Sequence, residues 1–106
     1  MNYKDYGLSI HDELAVRAIV AYLEMLEPET REDALTKMEK DKDFFASLVG
    51  KAVELFQKDY DRFSRVSLYY KYIGKDYLEK LKTVNTEAYL EDVPPGVYKY
   101  IRDCFK

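Results

Sequence analysis

Cysteine and histidine occur once each in these 106 residues, at Cys104 and His11, and tryptophan is absent. One cysteine closes no internal disulfide. Paired with a single histidine, it also falls short of the four ligands a structural zinc site needs. Cys104 reads as a half-buried thiol near a helix end, and His11 as a solvated residue in a first helical turn, rather than as a nucleophile and its base. Glycine is scarce too. Gly7, Gly50, Gly74 and Gly96 stand far apart, whereas phosphate-cradling loops cluster glycines so that backbone N–H groups can approach the anion. Nucleotide-dependent chemistry is thereby disfavoured, and no catalytic residue, metal or cofactor is expected. The longest apolar run, Ala18 to Leu23, is far below the roughly 20 residues that span a bilayer. With no cationic-then-apolar leader and an unpaired thiol, a cytoplasmic setting away from membranes is the expectation.

Apolar residues make up 47% of the chain and charged ones 35%, too apolar for a disordered tail and too charged for a membrane protein. The length suits one domain, residues 1–106. Residues 1–8 show no period and read as an N-terminal arm. Ser9 followed by Asp12 has the form of a capping box. Behind it Ile10, Leu14, Ala18, Tyr22 and Met25/Leu26 recur at threes and fours, with Val16, Ile19, Val20 and Leu23 on the flanks. A helix over 10–26 that is apolar around most of its circumference belongs at the centre of a bundle. Pro28 ends it. Thr30 with Asp33 predicts the cap of a short helix over 31–40, followed by a solvated mixed-charge turn at 39–43.

Phe45, Val49, Ala52/Val53, Phe56, Tyr60, Phe63, Val66, Tyr70 and Ile73 then form one stripe, opposed by Ser47, Lys51, Glu54, Lys58, Asp61 and Arg65. This pattern predicts one long helix, about 43–73, with a break near 58–61 as the alternative. Gly74 ends it, Asp76 can cap a short helix through Lys82, and residues 83–92 are ambiguous. Pro95 suits the first position of a last helix over 95–105, with Val97, Tyr98, Ile101 and Phe105 apolar. With no strand alternation, the fold class is all-α, a compact bundle of four to six helices.

Charge is unevenly spread. Residues 1–57 hold seven basic and twelve acidic side chains, and 58–106 hold ten and eight. The segment 58–82 interleaves Lys58, Arg62, Arg65, Lys71, Lys75, Lys80 and Lys82 with tyrosines, while 24–43 gathers eight carboxylates. Eleven tyrosines in all supply apolar rings with polar tips, which suit surfaces that bury against a partner. Tyr69 and Tyr72 fall off the apolar stripe and stand beside the cations, so Arg62, Arg65, Tyr69, Lys71, Tyr72 and Lys75 are the candidate partner-binding residues. The favoured expectation is a non-enzymatic helical protein that binds another protein, as an inhibitor or immunity-type factor. In composition the chain resembles, in a general way, the small inhibitor and immunity proteins of phages and bacteria. The alternative is a nucleic-acid-binding regulator using 58–82, since lysine, arginine and stacking rings also suit single strands. A third possibility is an enzyme built on His11, Cys104 or scattered carboxylates. The acidic segment is a second candidate surface, since its carboxylates suit a cationic nucleic-acid channel on another protein. Oligomeric state is not legible.

Overall fold

Ser9 and Asp12 cap each other as their spacing suggests. The Asp12 N–H donates to Ser9 Oγ at 3.2 Å, and the Ser9 N–H donates to Asp12 Oδ2 at 3.2 Å. Donors that a helix start would otherwise leave unpaired are thus satisfied, and α1 runs Ile10–Glu24. The computed structural model describes residues 2–58, 80 and 88–106. Every described element is helical, and no strand occurs among the described residues. After α1 come α2 (Pro28–Lys40), α3 (Lys42–Lys58), α4 (Ala88–Glu91) and α5 (Pro95–Asp103), preceded by a 3₁₀ turn over Tyr3–Tyr6. No described helix is long and apolar enough to cross a membrane.

The central position foreseen for α1 is where it lies, in contact with α3, α5 and the 3₁₀ turn. Val16, Ala18, Ile19, Ala21 and Leu23 are wholly buried. Ile10 departs from the expected stripe and is 50% exposed, because it stands at the first helical position, before the packed layer begins at Glu13 and Leu14. Pro28 does more than end α1. It forces Glu27 into an extended conformation (φ −60°, ψ 147°) and itself occupies the first turn of α2, where a missing N–H costs nothing. The Thr30 cap is therefore not used, and α2 starts three residues earlier than predicted.

The turn expected at 39–43 shrinks to one residue. Asp41 gives its backbone N–H to the Lys37 carbonyl and takes the Phe44 N–H on Oδ1 at 3.0 Å, closing α2 and capping α3 at once. Phe45, Leu48, Val49 and Ala52 bury one side of α3, while Ser47, Lys51, Glu54 and Lys58 stay exposed. The i,i+4 pair of Glu54 and Lys58 forms at 2.5 Å. The part of the predicted 43–73 helix beyond Lys58, and the helix expected after Gly74, lie outside the described residues. From α4, Tyr89 meets Phe45 edge-on at 5.8 Å and donates its hydroxyl hydrogen to Asp12 Oδ1 at 2.8 Å, tying α3 and α4 to the start of α1.

The N-terminal segment is docked. Gly7 adopts φ 71° and turns the chain after the 3₁₀ helix, a conformation costly for any side chain. Tyr6 stacks flat on Tyr100 of α5 at 4.8 Å and donates to Asp103 Oδ2 at 2.7 Å. A Cβ on Gly96 would overlap the Tyr6 carbonyl oxygen, so the close approach depends on glycine there. Tyr100 is buried although the apolar pattern had assigned the inward face to Tyr98, which is half-buried.

Candidate functional site

Arg62, Arg65, Tyr69, Lys71, Tyr72 and Lys75, the candidate contact residues, lie outside the described residues, as does the basic segment 58–82 apart from Lys58 and Lys80. The other surface singled out by charge, residues 24–43, is described throughout, and it borders a groove between α2 and α3.

That groove follows from the one-residue turn at Asp41. Folding α2 directly back on α3 brings Thr30, Asp33, Ala34 and Lys37 opposite Phe44, Ser47, Leu48 and Lys51, and the end of α1 closes it with Tyr22 and Leu26. The floor is apolar, the rims are polar, and the volume is about 270 Å³. Small-molecule sites typically enclose about 300–1,000 Å³, so this open groove suits inserted side chains better than a whole ligand. The sequence signal for it is the pair Phe44-Phe45. Adjacent helical residues point about 100° apart, so when Phe45 and Val49 fill the core, Phe44 and Leu48 must form a second stripe beside it.

Cations around α2 are held in place. Arg31 turns back onto the end of α1, donating from Nε to the Leu23 carbonyl at 2.9 Å and from Nη2 to those of Glu24 and Leu26 at 3.2 Å each. Its guanidinium also covers the Phe105 ring at 5.3 Å. Lys37 leans over Phe44, 4.8 Å from the ring centre, rather than reaching one turn back to Asp33. On the far side Glu39 pairs with Arg102 at 3.0 Å. Glu27, Glu29, Glu32 and Asp33 are exposed and make no ion pair among the described residues. A second cavity, about 400 Å³ between α2 and the C-terminus, is lined by Glu32, Leu35, Thr36, Arg102, Phe105 and Lys106. Its cations are matched, Arg102 by Glu39 and Lys106 by Asp103 at 3.1 Å.

The remaining polar groups belong to the framework. Glu13 is a carboxylate buried in α1 that sequence patterning did not flag. Its Oε1 takes the Arg17 Nε–H at 2.6 Å, and its Oε2 has no hydrogen bond. Glu13 lines neither cavity. Burial pushes the Cys104 thiol up to about 11, with Glu13 and Asp103 adding to the shift, which leaves a poor nucleophile at neutral pH. Burial, reinforced by Asp12, likewise raises Tyr89 well above the ordinary phenol range. No group of three or more metal-ligating side chains occurs among the described residues. No family model, curated protein or solved structure matches the chain.

Proposed function

We propose that this chain acts in the cytoplasm without catalysis, by binding another protein, as an inhibitor or immunity-type factor. The observation that carries the reading is the open apolar groove between α2 and α3, with Tyr22, Leu26 and Phe44 half-exposed over a buried Leu48 and an uneven charge distribution around it. Apolar surface ringed by charged groups is what protein-binding sites offer, since buried rings and aliphatic chains supply affinity while the rim sets orientation. The buried faces of α1 and α3 support it from behind.

Affinity capture from cells that produce the chain, with and without nuclease, compares wild type with Ser47→Phe. Ser47 is exposed on the groove, so the new ring fills the groove without disturbing the core. The expected outcome is one protein retained after nuclease by wild type, reconstituted from purified components, and lost with Ser47→Phe. Recovery that vanishes with nuclease would instead favour a nucleic-acid partner.

A further inference from the structure

We infer that the α2–α3 groove receives a second copy of this chain. The two hairpins pack face to face about a two-fold axis running along the groove, so that α2 of each copy lies on α3 of the other. Such a dimer does not depend on the partner proposed above, which would compete with the second copy for the same groove.

A single residue, Asp41, joins the two helices, so positions on the two walls can be compared by their distance from it. At 1.5 Å per residue, Lys37 stands about 6 Å and Asp33 about 12 Å down α2. On α3, Asp43 stands about 3 Å and Lys51 about 15 Å down. All four are exposed, and none makes an ion pair among the described residues. Asp33, Lys37 and Lys51 line the groove, and Asp43 stands one turn before Ser47 on that side of α3. Each wall thus carries one charge of each sign, in opposite order. From the turn outward α2 reads positive then negative, and α3 negative then positive. A two-fold axis along the groove preserves every height. It sets Lys37 against Asp43 of the second copy and Asp33 against its Lys51, each within about 3 Å along the axis. An isologous contact repeats both pairs, and between them the half-exposed Tyr22, Leu26 and Phe44 lose contact with water.

Charge selects this occupant and this pairing. A helix of one sign meets like charge on either wall, whereas the second copy carries both signs at matching heights. Over their whole lengths α2 holds four acidic and three basic side chains, and α3 two and three, so α2 laid on α3 joins unlike helices and α2 laid on α2 joins like ones. The face is about 20 Å along α2 and two helix diameters, about 20 Å, across. Both copies together bury roughly 800 Å², below the about 1,200 Å² at which standard interfaces begin, so the dimer is weak and depends on concentration.

Sedimentation velocity of the full chain, from about 10 μM to about 1 mM, covers the range in which an interface of this size dissociates. Wild type is expected to shift from monomer to dimer across the series, and to shift less at high salt. D33K and K51D each set like charges against each other at two symmetric places, and each should weaken the dimer about tenfold or more. The double variant D33K/K51D restores unlike charges in the same register and should return to within about threefold of wild type. Circular dichroism of each variant checks folding, and D33N or K51Q, expected to weaken the dimer in the same direction, replaces a reversal that unfolds. A chain that stays monomeric throughout, a dimer indifferent to both single variants, or a folded double variant as weak as the singles overturns the proposal. A monomeric wild type whose partner is still lost with Ser47→Phe sinks the dimer alone. A dimer that responds as expected while no partner is captured sustains self-association and removes the protein-binding reading.

Discussion

α1 and α2 are of similar length, 15 and 13 residues, yet they do opposite work. α1 buries nine residues, including a glutamate, and shows water little more than its first turn. α2 buries only Ala34, Leu35 and Met38 and turns its carboxylates outward. A helix enclosed by neighbours contributes stability through packing, whereas one attached along a narrow stripe is free to vary its exposed face. On the function proposed above, stability and recognition are carried by different helices. The exception is Arg31, a residue of α2 whose guanidinium serves the end of α1.

The most severe way to break this contrast is a cavity in α1. Leu23 is fully buried, and Leu23→Ala should lose about 2–5 kcal/mol in urea unfolding. Asp33→Ala should stay within about 0.5 kcal/mol of wild type. Similar losses from the two would mean that α2 is as much a framework element as α1.

Much of this division was legible beforehand. Leu14, Ile19 and Leu23 announced the centre of the fold because an apolar residue at nearly every position of one helix leaves no face for water. The cap at Ser9 and the stripe Phe45–Val49–Ala52 were equally plain, since both depend on side chains a few residues apart. What stayed hidden depends on contacts distant in sequence. Nothing local marks Glu13 as buried, and nothing near Gly96 reveals that Tyr6 passes against it. The start of α2 was misplaced because Thr30 resembles a cap, while the restriction Pro28 imposes on Glu27 decides the boundary. The groove was missed because Phe44 and Leu48 form a minor stripe beside a stronger one.

A smaller effect tests whether the N-terminal segment belongs with α1 as framework. Gly96→Ala places a methyl group against the Tyr6 carbonyl oxygen, and overpacking of this kind costs about 1–3 kcal/mol. Amide hydrogen exchange should show the loss first at residues 3–8, with the α2–α3 hairpin unaffected. A variant as stable as wild type, with unchanged exchange at Leu8, would place the segment outside the cooperative unit.

The smallest expected effect contrasts two exposed-side carboxylates. Asp33 has no ion pair among the described residues, whereas Asp103 takes the Tyr6 hydroxyl hydrogen and lies against Lys106. The Tyr6 hydrogen bond, with that of Lys106, holds the Asp103 carboxyl below its ordinary range. The same bond, together with burial, pushes Tyr6 up to about 12. A carboxyl lowered by folding stabilises above its unfolded pKa, and that contribution disappears as pH falls through the folded value. A phenol raised by folding stabilises below its unfolded value of about 10, and the contribution disappears as pH rises through the folded one. The Tyr6–Asp103 contact should therefore act on a plateau between the ordinary carboxylate range, about pH 4, and about pH 10. Melting temperatures of wild type and Tyr6→Phe, measured from pH 3 to 11, should differ by a small constant amount on that plateau and converge at its acid edge. Because Tyr6→Phe retains the stack on Tyr100, the difference isolates the hydroxyl. Curves that stay equally far apart at pH 3 would show that Asp103 is not the acceptor that matters, and that its distinction from Asp33 has no energetic content.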